Sequence, residues 1–186
     1  EVVVLGEPRA NDADLAADLA DAAATAVAVR AVRPDMVFHL AARSRPVVGG
    51  EAAAWAVNVT GTANLLAALP EHAGLVFVSS AEVYGAAAAP FREDLVPRPV
   101  SAYGISKLAA ELLVRLAADR GRRAAIVRPG VVYGPGQAPV MLVPEIIAAA
   151  LRQQPLRTTA GRQRRDLVFV EDVADGIMRA AGAVAE

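Results

Sequence analysis

Short uninterrupted runs of apolar residues alternate along the chain with longer stretches in which apolar residues recur at helical spacing. The runs predict buried strands at 2–5, 36–40, 75–80, 124–127 and 167–170. The stretches predict helices at 21–33, 51–69, 101–120, 144–153 and 172–181. Residues 85–100, with prolines at 90, 97 and 99, predict a loop. Apolar strands that alternate with helices are typical of an α/β fold whose parallel sheet is covered on both faces.

Residues 7–20 allow two interpretations. Either Asn11 or Asp12 caps a helix, or 13–19 form a short strand. In a parallel sheet of this kind, ligands bind beyond the carboxyl ends of the strands. We therefore expect the chemistry of the protein at the turns that follow Leu5, Leu40, Val78 and Val127.

The composition narrows the class of protein. The 186 residues carry a net charge of -1 and contain no cysteine, which excludes disulfides, thiolate metal sites and a cysteine nucleophile. Near-neutral charge argues against binding to nucleic acid through phosphate neutralisation, and no apolar run approaches the roughly 20 residues of a membrane span. Residues 1–5 lack the basic stretch of a signal peptide. We expect a cytoplasmic protein of one domain, or one and a fraction, with no metal, membrane or nucleic-acid partner.

Tyr103 and Lys107 form the most informative pair of polar residues. Of 19 basic residues 18 are arginine, and the single lysine lies four residues after a tyrosine. Side chains four apart share a helix face, and a nearby ammonium lowers the pKa of a tyrosine from its usual value of about 10. Such a tyrosine can exchange a proton with a substrate hydroxyl near neutral pH. The alternative is a solvated pair on an amphipathic helix.

A second polar segment, 79–85, follows the strand predicted at 75–80. Ser80 lies at the end of this strand, where we also expect Tyr103 to lie. Both side chains could therefore bind one substrate hydroxyl. Glu82 places a carboxylate in the same region and is a candidate base that could remove the proton of a C–H group next to a carbonyl. A serine turn cap and a surface glutamate would explain the same residues without catalysis.

Three further features lie near other strand ends. His39 is interpreted as a hydrogen-bonded core histidine, and the small residues Ala41 and Ala42 after it permit close approach of a flat or phosphate-bearing ligand. The Gly- and Pro-rich loop 128–136 suits a pocket wall. Three arginines within 162–165 suit a diphosphate, which guanidinium groups bind bidentately, although a solvated basic loop is the alternative.

Six motifs follow one another in a recognisable order. They are PDMVFHLAA at 34–42, NVTGT at 58–62, SSAEVYG at 79–85, YGISK at 103–107, RPGVVYGPGQ at 128–137 and RDLVFVEDVA at 165–174. Together they resemble the extended short-chain dehydrogenase/reductases, in particular the nucleotide-sugar epimerase/dehydratase family, from residue 1 to about residue 182. The resemblance implies an enzyme dependent on NAD or NADP that modifies a nucleotide sugar by hydride transfer at sugar C4.

The resemblance also implies roles for individual residues. Tyr103 would be the acid/base at the sugar oxygen, Lys107 would lower its pKa and hold the nicotinamide ribose, and Ser80 would be the second hydrogen-bond partner. The other residues implied in cofactor binding are Asp18, Leu19, Ala41, Ala42, Asn58 and Arg128. The residues implied in substrate binding are Ser80, Gln137 and Arg165, of which the last would hold the diphosphate.

The implied fold is a Rossmann-like doubly wound parallel sheet. Residues 1–133 and 167–182 would form the cofactor domain, and 134–166 would form part of a C-terminal substrate lobe. Helices 51–69 and 101–120 are similar to those that make a four-helix homodimer interface in relatives. NAD and NADP both stay open as cofactors, because Glu7 would favour NAD and Arg9 would favour NADP.

Glu82 bears on the reaction. A glutamate here is common in 4,6-dehydratases and decarboxylases of the family, where it removes the C5 proton, and some 4-ketoreductases also carry an acid, whereas 4-epimerases often lack one. Ala81 departs from the aspartate of deoxythymidine-type dehydratases, and Val131 departs from an asparagine that holds substrate phosphate. A guanosine-type mannose dehydratase or a 4-keto-6-deoxy-sugar reductase is the closer match.

The largest departure from the family is the absence of a G-x-x-G-x-x-G turn, whose backbone would cradle the cofactor pyrophosphate. Val2–Leu5 resembles the second strand of the fold, which leaves the central first strand missing. Either the sequence is part of a longer chain, or 1–6 take the place of the first strand and 12–32 form one helix. The alternative function is therefore a non-catalytic fragment or a cofactor-free scaffold domain of the same fold.

Overall fold

Strands and helices alternate throughout the computed structural model of the chain, which describes residues 2–6, 14–44, 50–156 and 158–185. The seven strands within these residues are β1 (Leu5–Gly6), β2 (Leu15–Ala16), β3 (Met36–His39), β4 (Gly74–Val78), β5 (Ala124–Val127), β6 (Val131–Tyr133) and β7 (Leu167–Phe169). The six α-helices are α1 (Ala22–Val32), α2 (Gly50–Trp55), α3 (Gly61–Ala68), α4 (Ala102–Asp119), α5 (Leu142–Leu151) and α6 (Val170–Ala185). A π-helix (Ala56–Thr60) joins α2 to α3, and a 3-10 helix (Ala81–Tyr84) follows β4.

All strand pairs are parallel, which confirms the α/β class. The described strands form three sheets, with β1 beside β2, β3–β4–β5 in that order, and β6 beside β7. The continuous sheet expected from the sequence is therefore divided between β1 and β3. In the strand order 3-2-1-4-5-6 of a doubly wound sheet, this is where the first strand would lie.

Residues 2–6 do not take the position of the first strand of a doubly wound sheet. Leu5 pairs with Leu15, and the main-chain oxygen of Val4 accepts hydrogen bonds from Asp14 and Leu15. The proposed single helix over 12–32 is wrong, because residues 15–16 form a strand and α1 begins only after Asp21, whose carboxylate caps it. The candidate caps Asn11 and Asp12, and Glu7 and Arg9, lie outside the described residues.

Strand β4 is the centre of the core. Leu75 and Phe77 point to one face, where they pack with α1, α3 and α4, while Val76 points to the other face and packs with α6. All three side chains are fully buried. Because side chains alternate between the faces of a strand, helices on both faces bury β4 as far as Phe77, as the unbroken apolar run predicts, and Val78 at its end is half-buried.

Two elements differ from the sequence-based expectation in kind. The helix predicted over 51–69 is interrupted by the π-helix at 56–60, which inserts an extra residue into the turn. The loop after Arg128 contains strand β6, which pairs with β7 and begins with a hydrogen bond of 2.7 Å from the Val131 N–H to the Asp166 oxygen. Only three residues long, β6 is too short for an alternating pattern to reveal it.

Two adjacent arginines tie helix ends to the start of β5. Arg122 donates to the main-chain oxygens of Leu69, Pro70 and Ala73, which follow α3. Arg123 donates to the main-chain oxygens of His72, Val184 and Ala185, the last two at the end of α6. Cations at helix C-termini satisfy carbonyls that have no partner within the helix and oppose the helix dipole.

Gly85 closes the segment that follows β4. Its φ angle is 59°, and a Cβ built on it would lie 1.8 Å from the main-chain oxygen of Arg98. Gly121 also has a positive φ angle, 97°, but a Cβ there would meet nothing within 4 Å. The two glycines therefore separate the effect of backbone conformation from the effect of close packing.

We expect Gly85→Ala to lower the free energy of unfolding by about 3 kcal/mol, since both the left-handed backbone and the contact with Arg98 oppose a methyl group. Gly121→Ala, the matched control, should lower it by only about 1 kcal/mol. Urea denaturation monitored by circular dichroism measures both. Equal losses would mean that the chain at 98 moves away at little cost.

Candidate active site

The site begins where β4 ends. Ser80 has an extended backbone and caps the 3-10 helix, its hydroxyl accepting the Glu82 N–H at 3.2 Å. This tight turn places Ser80, half-buried, and Glu82, exposed, just beyond the carboxyl end of β4. Ser80 therefore does cap a turn, as the non-catalytic interpretation of this residue predicts. The cap nevertheless leaves its hydroxyl at the candidate site.

Helix α4 starts against the same turn. Ser101 caps it by accepting the Gly104 N–H at 3.0 Å, and the Ser101 hydroxyl donates to the Glu82 carboxylate at 2.7 Å. Gly104 permits this approach, because a Cβ there would lie 2.8 Å from the Glu82 main-chain oxygen. Ser101 therefore links the carboxylate to the first turn of the helix that carries Tyr103.

The Tyr103 phenol is close enough to Ser80 and Glu82 to interact with both. Burial raises its pKa above the usual value, the negative charge of Glu82 raises it further, and a hydrogen bond with Ser80 lowers it. The expected meeting of these side chains is therefore present in the structure. The expected lowering of the Tyr103 pKa is not, because desolvation and a nearby carboxylate both favour the neutral phenol.

Lys107 lies one turn further along α4 and is buried, with 1 % of its surface exposed. Its ammonium stands over the ring of Phe77, 4.2 Å from the ring centroid. Burial lowers the pKa of Lys107 to about 8, against an opposing effect of the Glu111 carboxylate. A lysine held in this way is partly deprotonated near neutral pH, unlike an exposed one.

Asn58, in the π-helix, connects the segment after β3 to α4. Its side-chain oxygen accepts the Arg43 N–H at 2.8 Å, and its side-chain nitrogen donates to the Arg43 oxygen at 3.1 Å and to the Ser106 hydroxyl at 2.9 Å. Ser106 in turn donates to the main-chain oxygen of Tyr103. This geometry gives Asn58 the means to shape the helix and support the Tyr103–Lys107 pair.

His39 is a core histidine, as its sequence context predicts. Its Nε2 lies 2.9 Å from the Thr62 hydroxyl, which donates to the Asn58 main-chain oxygen, so the hydrogen-bond pattern assigns the proton to Nε2. Burial, and then the charge of Lys107, lower the pKa of His39 to about 4. His39 is consequently neutral at physiological pH.

A buried ion pair lies behind the site. Arg128 donates to both carboxylate oxygens of Glu111, at 2.9 and 2.7 Å, and to the Tyr84 hydroxyl at 2.8 Å. Glu111 is fully buried, and its hydrogen bonds hold the pKa of Arg128 well above its usual value. The guanidinium expected to touch a cofactor thus fixes α4 against the end of β5.

An open cleft of about 420 Å³ borders this ion pair. Ala81, Tyr84, Phe91, Arg128 and Asp166 are among its lining residues. The rings of Tyr84 and Phe91 pack with their centroids 4.9 Å apart. The cleft therefore joins the segment after β4 to the segment before β7, two of the regions that the motifs single out.

The other residues expected in the site belong to separate segments. Asp18 accepts the Ala20 N–H in the turn before α1, and the Leu19 oxygen accepts from Asn64. Ala41 and Ala42 are exposed beyond β3, where small side chains leave the backbone open. The hydrogen bonds of Gln137 and Arg165 go to neighbours in their own segments, Val132 and Arg164. Arg165 is exposed.

Sequence reasoning missed three residues of the site. The sequence predicts Phe77 only as part of a buried strand, although strand alternation places it on the face covered by α4. It predicts Ser101 only as the first residue of a helix. Glu111 lies four residues after Lys107, and this spacing could have placed it on the same helix face.

Neither a membrane span nor a metal centre emerges from the described part of the chain. None of the helices there is both long and apolar enough to cross a bilayer. In the same residues, His, Asp and Glu side chains do not gather in groups of three or more that could hold a metal ion.

Comparisons with known proteins agree on one family. A model of the NAD dependent epimerase/dehydratase family matches residues 2–186. A dTDP-glucose 4,6-dehydratase of Neisseria gonorrhoeae is 37% identical over 160 residues, which are 76% of this chain and 46% of the relative. A GDP-6-deoxy-D-mannose reductase of Pseudomonas aeruginosa is 35% identical over 166 residues, 78% of this chain and 53% of the relative.

Solved structures give the same result for the fold. The UDP-glucuronic acid 4-epimerase of Bacillus cereus, in complex with UDP-glucuronic acid and NAD, superposes with a TM-score of 0.76 at 29% identity. The superposition covers 90% of this chain and 55% of the epimerase. The Rossmann-like fold is thereby confirmed, and the chain spans about half the length of the curated relatives it matches.

We expect Arg128→Met to lower the free energy of unfolding by about 3–5 kcal/mol, because it leaves the Glu111 carboxylate buried without its partner. The double variant Glu111→Met with Arg128→Met should recover most of that loss. Arg115→Met is the control, since Arg115 is half-exposed and 3.8 Å from Glu111, and should change stability by less than about 1 kcal/mol. A double variant as unstable as Arg128→Met would contradict this role.

Proposed function

The chain belongs to the NAD-dependent epimerase/dehydratase family, and we propose that it carries the proton-transfer part of a site that modifies a nucleotide sugar at C4. The observation that carries the proposal is the meeting of Ser80, Glu82 and Tyr103 at the end of β4, one helix turn from Lys107. A reductase, a dehydratase and an epimerase act on closely related sugars, and each needs a proton moved at the C4 oxygen. We extend to this chain the nucleotide-sugar substrates named for its relatives.

Tyr103 is the proposed acid/base at the C4 oxygen. In its buried position beside Glu82 the phenol keeps its proton near neutral pH, and a protonated phenol can donate to a keto oxygen. Ser80 would bind the same oxygen and hold it at the phenol. In the opposite direction, the Lys107 ammonium would support removal of the proton, because positive charge stabilises a phenolate, and it would act against the burial and the Glu82 charge that raise the pKa of Tyr103.

NAD or NADP would supply the hydride chemistry at C4 when bound. The Lys107 ammonium fits ribose hydroxyls, because within the described residues it has neither a hydrogen-bond acceptor nor an ion-pair partner. Ala41 and Ala42 would lie along the cofactor, and Asp18 and Leu19 would lie near its adenine. Nothing in the sequence matches the glycine turn for the pyrophosphate, so full affinity requires a cradle outside the motifs described.

Glu82 is the proposed base for the proton at sugar C5, which supports dehydration after oxidation at C4. The hydrogen bond from Ser101 holds its carboxylate beside Tyr103. Its exposed position leaves it open to a substrate.

Arg165, also exposed, is the proposed diphosphate ligand, and Gln137 is a proposed substrate contact. We place the protein in the cytoplasm on its composition alone.

A homodimer is part of the proposal. The outer face of α4 exposes Ile105, Leu112 and Leu116, which are 43%, 59% and 46% accessible, and α2 exposes Trp55. Residues 105, 112 and 116 recur at helical spacing and form one apolar stripe. A second copy of the same stripe is a self-complementary partner for it.

The first test is calorimetric titration of the purified chain with NADH and NADPH. Binding of one of them in the micromolar range, about −8 kcal/mol, would show that a pyrophosphate cradle lies outside the motifs described, and a panel of UDP-, GDP- and dTDP-sugars would then measure turnover. Tyr103→Phe should then reduce turnover by a factor of about 10²–10⁴ while leaving nucleotide-sugar binding intact. Tyr133, the third tyrosine of the chain, lies outside the site, so Tyr133→Phe is the matched control.

Two results would contradict the proposal in different ways. Turnover retained by Tyr103→Phe would remove the acid/base role of that residue. Failure of the chain to bind either cofactor would favour the alternative, a cofactor-free scaffold domain of the same fold.

For the dimer, we expect sedimentation velocity to give twice the chain mass, and Leu112→Arg to give a monomer, because burying an unpaired charge in an apolar interface is unfavourable. Met178→Arg, on the exposed side of α6 (61% accessible), should leave the dimer intact. A monomeric wild-type chain would contradict this interface.

A further inference from the structure

We infer that Phe77 is a positioning residue for Lys107. The face of the Phe77 ring contacts the buried ammonium of Lys107 and favours its charged form. The inference deepens the proposed function and rests on it, since it concerns the cation that would assist Tyr103. Phe77 itself touches no reacting atom in that scheme. Its effect on chemistry would pass entirely through Lys107.

The geometry of the seat carries the argument. The Lys107 nitrogen lies 4.2 Å from the centroid of the Phe77 ring, well within the distance at which a cation is attracted to an aromatic face. Both residues are at most 1 % exposed. Water therefore competes little for the ammonium, and cation–π attraction is strongest where both partners are desolvated.

The nearest carboxylate on α4 is already engaged. Glu111 acts on Lys107 through its charge, but both its oxygens accept hydrogen bonds from Arg128. Much of the negative charge of Glu111 is therefore balanced by a guanidinium. The ring of Phe77 is left as the direct contact that favours the charged lysine over the neutral one.

The other groups around Lys107 do not replace Phe77. His39, from β3, is neutral above pH 4–5 because burial lowers its pKa to about 4, and its ring packs against Phe77 at 5.4 Å between centroids. Tyr103, on α4, keeps its proton near neutral pH. Arg128, at the end of β5, is paired with Glu111 and adds positive charge. Phe77 is thus the direct contact whose removal would disfavour the ammonium, while Glu111 acts on it through its charge.

The chain offers an unusually clean measurement, because Lys107 is its single lysine. Labelling with lysine that carries 13C at Cε gives one resonance, and its chemical shift against pH reports the protonation of Lys107 directly. The wild-type midpoint is expected near pH 8. Neither cofactor nor substrate is needed, so an inactive chain does not prevent the experiment.

Fluorination of the Phe77 ring is the sharpest variant. Replacing Phe77 by 4-fluoro-, 3,5-difluoro- and pentafluorophenylalanine through site-specific incorporation removes electron density from the ring face with little change in shape. We expect the midpoint to fall stepwise with fluorine number, by about half a pH unit to one pH unit across the series. Phe77→Leu should lower it as well.

Val76→Ala is the matched control, since Val76 is equally buried in β4 but faces α6 on the opposite side of the sheet. It should weaken the core and leave the midpoint unchanged. Circular dichroism on each variant establishes that the fold is kept. A midpoint that does not move in the folded fluorinated variants would overturn the role of Phe77.

The two proposals fail separately. If the midpoint falls with fluorination but the chain neither binds a cofactor nor turns over a nucleotide sugar, Phe77 holds the ammonium and the proposed function is wrong. If turnover is present and the midpoint is unmoved, the proposed function stands and the inference about Phe77 is wrong.

Discussion

The candidate site depends on the side chain of one buried amide. Asn58 makes three hydrogen bonds that join the backbone after β3 to Ser106 on α4, while its own main-chain oxygen receives the Thr62 hydroxyl. These contacts set the distance between the segment that follows Ala41 and Ala42 and the helix that carries Tyr103. A neutral amide suits this position, because it donates and accepts at once without adding charge beside Lys107.

The inner face of α4 concentrates ionisable groups in the core. Lys107 and Glu111 are 1 % and 0 % exposed on one helix, four residues apart, and only Glu111 has an ion-pair partner in the described structure. Burying a charge without a full partner destabilises a fold. A protein tolerates such a group where the altered protonation of the side chain serves its chemistry, which is consistent with a site at this face.

The strand–helix order and the meeting of Ser80 with Tyr103 could be predicted, since apolar runs and strand ends are local features of the sequence. The π-helix could not, because 56–60 continues the apolar spacing of an ordinary helix. The direction of the Tyr103 pKa was predicted wrongly, because spacing along a helix reports which charges are near but not how far burial removes water. The burial of Glu111 depends on Arg128, a partner 17 residues away.

The paired arginines before β5 bear on how the domain opens. Arg122 holds the carbonyls after α3, and Arg123 holds those of His72 and of the end of α6, so two adjacent residues fasten helices on both faces of the sheet. Helices α3 and α6 are separated by more than 100 residues along the chain. If one layer opened alone, one of the two guanidinium groups would lose its hydrogen bonds, while the adjacent arginine stayed bound to the other layer. We therefore expect the two layers to open together, as one cooperative unit rather than as two independent foldons.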